Sequence, residues 1–190
     1  MFKTLRFVFH STHMVSILKA AMRLKKEGDN QQALVFLRKA LEAGHSALNI
    51  QSPKISEQER SHVASGFSSI QKLYQKELIA QMPEDDRNLF MSFLKSWKDM
   101  GIATINAHLI DQMIDMFDTA KSRLASDKET LGIIYKGDHV PAPLRNIMQL
   151  FLLEGGATRE ETERRLGECM AKLGKWRREL FLPGKPLHTR

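Results

Sequence analysis

Cysteine is almost absent: Cys169 stands alone among 190 residues. A lone thiol excludes an intramolecular disulfide framework and any zinc site built on several cysteines. It accords with a reducing compartment, and the expected location is cytoplasmic. Long apolar runs are absent too, since nothing approaches the roughly 18 apolar residues of a membrane span. There is no phosphate-cradling Gly-rich loop; Gly155-Gly156 reads as a helix stop. Acid is missing from residues 1–26, which hold six Lys/Arg. The net charge of +7 is therefore uneven: residues 27–157 carry −3 and residues 158–190 carry +4. Basic ends suit nucleic acid, anionic lipid or an acidic partner, and also plain solubility. The first residues fail as a secretory signal, because the apolar run breaks at His10-Ser11-Thr12-His13 with no small-residue cleavage site. Basic, Ser-containing and acid-free, they match an organelle presequence better, which is the alternative location.

Catalytic constellations are equally sparse. His10 and His13 share a helical turn, but two imidazoles do not complete a metal site. His108, Asp111 and Asp115 share a face opposite the apolar stripe of Ile105, Leu109 and Met113, where solvation explains them. Cys169 falls on an apolar stripe, as a buried inert thiol does. His139 beside Asp138 has no patterned nucleophile near it. The expectation is a protein that is not an enzyme and uses no metal or cofactor.

What is present is helical periodicity. Residues 14–44 carry two apolar runs, Ile17, Leu18, Ala21, Leu24 and then Ala33, Leu34, Leu37, Ala40, Leu41. Gly28 supplies the positive φ that ends the first helix, and Asp29 caps the second. A polar connector is expected over residues 45–54, and residues 1–13 read as a short strand or an extended arm. Ser56-Glu57-Gln58-Glu59 is a capping box that opens a helix with Val63, Phe67, Ile70, Tyr74 and Leu78 on one face. That helix ends near Met82, since Pro83 belongs to the first turn of the next. Glu84, Asp85 and Asp86 favour that helix's positive end, and Leu89, Phe90, Phe93, Leu94 and Trp97 form its stripe. Further helices are expected over residues 105–124, 126–137, 144–151 and 158–180, the second and last opened by capping boxes at Ser126 and Thr158. The fold class is all-α, a bundle of about seven helices. Val140-Pro141-Ala142-Pro143 is the candidate boundary, dividing a bundle (1–139) from a C-terminal appendage with a basic tail (140–190), unless the two are one domain.

The residues Ala21, Leu24, Ala33, Leu37 and Ala40, with Gly28-Asp29 at the turn, resemble a tetratricopeptide-type helical hairpin. The unit appears once. Glu27-Gly28-Asp29, then Lys39-Ala40, Leu73-Tyr74 and Trp97, resemble flagellar-type secretion chaperones. That resemblance implies a helical bundle holding a partner's terminal segment in an apolar groove. Residues 160–180 resemble a helix-turn-helix, with Leu166-Gly167 closing one helix and Leu173 and Trp176 packing the next. The alternative is a single helix, because Leu166, Met170, Leu173, Trp176 and Leu180 form one stripe across the supposed turn; its cost is about 1 kcal/mol for each internal glycine.

Two functions follow as expectations. The first is a non-enzymatic adaptor or chaperone that binds a helical or extended segment of another protein. Its candidate groove residues are Phe67, Tyr74, Phe90, Phe93, Trp97 and Met113. Ten methionines suit adaptable packing and permissive grooves. The second is nucleic-acid binding by Lys172, Lys175, Arg177 and Arg178.

Overall fold

The computed structural model describes residues 2–99, residues 107, 108, 110–112, 114, 115 and 118, and residues 159–181. The protein is all-α, with no strand among the described residues. Five helices have described bounds: α1 (Phe2–Lys26), α2 (Asn30–Leu48), α3 (Glu57–Ala80), α4 (Glu84–Asp99) and α5 (Arg159–Leu180). Helical residues between 107 and 118 make a sixth, against the seven or so expected. The helices expected over 126–137 and 144–151, and the capping boxes at Ser126 and Thr158, lie outside the described residues. The chain divides into two compact units, Met1–Met82 and one that runs from Pro83 to Phe181. The boundary expected at residues 140–143 also lies outside the described residues.

In the first unit the expected arm over residues 1–13 is instead the opening half of α1, a helix of 25 residues. No glycine or proline occurs before Gly28, so nothing local stops the helix. Phe7, Met14 and Ala21, at steps of seven residues, form one buried line through both halves. The stop comes at Gly28, whose φ of +85° only glycine adopts without strain. The Gly28 N–H donates to Lys25 and the Asp29 N–H to Leu24, which satisfies the last carbonyls of α1. The carboxylate of Asp29 then accepts from the Gln32 N–H at 3.0 Å and opens α2.

Helix α2 does not end at Gly44. It continues to Leu48, so the connector expected from residue 45 starts four residues later, at Asn49. Gly44 is buried where three helices meet: a β-carbon on it would lie 2.6 Å from Met14 Sδ and 2.9 Å from a Phe67 ring carbon. The glycine is there for close approach, not for termination.

Ser56 opens α3 with both bonds of a capping box. Its hydroxyl accepts from the Glu59 N–H at 3.2 Å, and its N–H donates to the Glu59 carboxylate at 2.8 Å. The Ser56 hydroxyl also donates to that carboxylate at 2.7 Å, and this bond, with the one from the Ser56 N–H, holds the Glu59 carboxyl below its usual range. A depressed folded-state value adds stability above the unfolded pKa, and that stability fades as pH falls through the folded value. Removal of this N-cap by Ser56→Ala should lower stability by about 1 kcal/mol at neutral pH. It should also flatten the acid side of the profile. Urea titrations at pH 7 and pH 3 check this; an equal loss at both would exclude the Glu59 contribution.

Helix α2 packs on both α1 and α3. Lys25 pairs with Glu77, so α1 and α3 finish at the same end. Gln81 donates to the Asn30 carbonyl at 3.0 Å and ties the close of α3 to the start of α2. The three helices thus run up, down and up. Leu37, Ala40, Leu41 and Ala47 of α2 fill the centre, against Phe7 and Met14 on one side and Val63, Ile70 and Tyr74 on the other.

In the second unit, the stripe of α5 is Cys169, Leu173, Trp176 and Leu180, all buried. The spacing of four, three and four residues is that of a packed helix face. Trp176 meets Phe90 of α4 edge to face, with centroids 5.1 Å apart and planes at 79°. Ile110 is buried as well. Lys172 reaches Asp86 at 2.6 Å, and Arg177 grips both carboxylate oxygens of Asp111 at 2.9 and 3.2 Å.

Candidate interaction surface

A helix with one inward face has an amphipathic sequence. Helix α1 departs from that pattern because it is apolar on opposite sides. Phe7, Met14 and Ala21 face the core, while Phe2, Leu5, Val8, Phe9, Val15 and Met22 are exposed. Val8, Val15 and Met22 again step by seven residues, one position after the buried line. Seven residues are close to two helical turns, so these three form a straight exposed seam about 21 Å long. Beside its first turns lies an open groove of about 330 Å³ between α1 and α3. Its lining includes Phe7, Val8 and Val63, with Ser11, Thr12 and His62 as polar neighbours.

An arm or strand over residues 1–13 gives no such seam; it exists only because those residues are helical. The signal was present: two seven-residue apolar repeats, Phe7–Met14–Ala21 and Val8–Val15–Met22, offset by one position. In a helix that starts at Phe2 these are one repeat too many for a single buried face.

The six expected groove residues are distributed over both units. Phe67 and Tyr74 belong to the first, and Phe90 to the second. Tyr74 and Phe90 are core residues, 4% and 1% exposed, which leaves no ring surface for a partner. Phe67 is half-buried against Gly44. The side chains of Phe93, Trp97 and Met113 lie outside the described residues.

The four candidate nucleic-acid contacts sit on α5, which runs from Arg159 to Leu180 without a turn between Leu166 and Lys172. The backbone thus takes the single-helix alternative, with Cys169, inside the supposed turn, on the same buried stripe as Leu173, Trp176 and Leu180. Lys172 and Arg177 are committed to Asp86 and Asp111. Lys175 and Arg178 remain exposed. Near the start of α5, Arg164 bonds Glu161 at 2.7 Å and pairs with Glu168, and these carboxylates raise its pKa further.

Cys169 is 1% exposed. Burial pushes its thiol up to about 12, only partly opposed by Lys172. The thiolate is the nucleophile, so folded protein at pH 8 should react with a disulfide reagent only as fast as it opens. Because this is the chain's one cysteine, the reading is unambiguous. The raised folded value stabilises the protein below the ordinary pKa of 9.0, and that contribution should be lost as pH rises from there towards 12. Rapid stoichiometric labelling under native conditions would contradict the burial.

Among the described residues, no three His, Cys, Asp or Glu side chains come together as a metal site requires. No helix there is long and apolar enough to cross a membrane. The class defined by fold and surface is an all-α chain of two compact helical units, the first with an uncovered apolar seam. No family model, curated protein or solved structure matches the chain.

Proposed function

We propose that the protein is a non-enzymatic binding protein whose first unit holds an amphipathic helix of a protein partner. One observation carries this reading: Val8, Val15 and Met22 form a straight exposed apolar seam on a well-packed three-helix unit. Apolar side chains at steps of seven offer knobs to a partner helix with the same repeat. The groove beside Phe7, Val8 and Val63 receives one anchoring side chain from that helix. The hairpin's likeness to helical repeats and secretion chaperones points the same way. Nucleic-acid binding through α5 has less support, since Lys172 and Arg177 already neutralise carboxylates and α5 has no turn.

A photo-crosslinking residue at Val15 tests the reading in the native cell. The expected result is one discrete protein adduct, lost when Val8→Asp or Met22→Asp is added. Each aspartate places an uncompensated charge in an apolar contact, so it should weaken binding by about tenfold or more. Undiminished capture by both variants would overturn the proposal.

A further inference from the structure

The first turns of α1 carry a second arrangement, separate from the Val8–Val15–Met22 seam. Phe2, Leu5 and Phe9 are 82%, 63% and 64% exposed and share one face at steps of three and four residues. Lys3, Arg6 and His10 repeat the same steps one position later. An apolar row and a basic row therefore run side by side along about 12 Å of helix. The basic row lines an open groove of about 520 Å³, completed by Ser46, Asn49, Ile50 and Gln51. No lining residue is acidic. Nor does α1 contain an Asp or Glu anywhere along its length.

Unpaired carbonyls at the end of α2 would repel an anion here, but those of His45 and Ala47, and that of Ile50 just beyond, have partners. The Asn49 N–H donates to the His45 carbonyl, the Ile50 N–H to Ala47, and Arg60 takes the Ile50 carbonyl at 2.6 Å. The groove thus presents two full cations, an imidazole and the amides of Asn49 and Gln51, while the Ser46 hydroxyl donates to the Glu42 carbonyl at 2.9 Å. These donors match phosphate oxygens.

We infer that this end of α1 docks on an anionic phospholipid surface, with Phe2, Leu5 and Phe9 entering the acyl boundary and Lys3, Arg6 and His10 binding headgroup phosphates. Charge complementarity selects this occupant. A neutral apolar partner would leave the basic row uncompensated, whereas an anionic bilayer offers apolar and phosphate layers side by side, in the order of the two rows. A row this short, on a helix whose Phe7–Met14–Ala21 line is buried in the core, lies in the interface and does not span it. The inference goes beyond the proposed protein partner and uses different side chains.

The full chain is floated with vesicles of phosphatidylglycerol and phosphatidylcholine, and with phosphatidylcholine alone, at low and high salt. Its oligomeric state is measured in parallel by ultracentrifugation. The expected result is binding to the anionic vesicles only, weakened at high salt as screening predicts. Lys3→Glu with Arg6→Glu should reduce binding about tenfold or more, and Phe2→Ser with Leu5→Ser and Phe9→Ser should do the same, with helix content unchanged. Val15→Ser with Met22→Ser should leave vesicle binding intact, which separates this surface from the protein seam. Absence of vesicle binding, equal binding to both vesicle types, or a dimer dispersed by the Phe2 variant without vesicle binding would each overturn the inference. The last result would assign the face to a second copy of the chain.

Discussion

Trp176→Ala is expected to destabilise the second unit by about 3–5 kcal/mol, the largest loss of any single substitution proposed for that unit. The indole is 1% exposed and meets Phe90 edge to face, so its removal leaves a cavity beside a ring held on another helix. Cys169, Leu173 and Leu180 share its stripe and cannot move in to fill the space, because the helix backbone sets their spacing. Chemical denaturation followed by circular dichroism checks the value, since fluorescence would lose one of its two tryptophan reporters. Lys175→Ala and Arg178→Ala, both exposed, should change stability by less than about 0.5 kcal/mol. Lys172→Ala should fall between these limits, because the Asp86 side chain is only 16% exposed and would lose its partner. A Trp176→Ala variant as stable as the parent would mean that the α4–α5 packing described here does not form in solution.

Gly44→Leu is expected to prevent the first unit from folding as described, and Gly44→Ala to weaken it despite a better helix former. Alanine gains about 1 kcal/mol of helix propensity over glycine. Its methyl would nevertheless sit 2.6 Å from Met14 Sδ and 2.9 Å from the Phe67 ring, closer than atoms pack. Overpacking of this kind costs about 1–3 kcal/mol, so the net change for alanine is a modest loss. Leucine adds three more carbons that those neighbours cannot accommodate. The contact also predicts a coupling. Shortening Met14 to alanine should relieve part of the Gly44→Ala loss, so the double variant should depart from additivity by about 0.5–3 kcal/mol. If the two losses simply add, Met14 and Gly44 do not touch. If Gly44→Ala stabilises the unit, the glycine is not at a close helix contact.

Local signals made much of the first unit legible in the sequence. Gly28 ends α1 because its φ of +85° is cheap for glycine alone. Asp29 and Ser56 cap α2 and α3 because a short side-chain oxygen reaches an otherwise unsatisfied N–H within the same turn. Each depends on a few consecutive residues and requires no knowledge of the rest of the chain. The inward direction of Trp176 was legible for a related reason: one apolar stripe at helical spacing contains it. Three other features depended on partners far along the chain. Gly44 reads as a stop by itself and becomes a contact only when Met14, 30 residues earlier, and Phe67, 23 residues later, are placed against it. Residues 160–180 accommodate a turn or a straight helix by composition, and burial of the stripe from Cys169 to Leu180 against α4 favours the straight one. The exposed face of α1 could not be told from a buried one, because Val8 and Phe7 are equally apolar neighbours in the chain. Once residues 2–26 are one helix, the sequence puts apolar residues on more than one side of it; only the packing of the three helices decided which side is covered, since burial is a property of what lies opposite a residue and not of the residue itself.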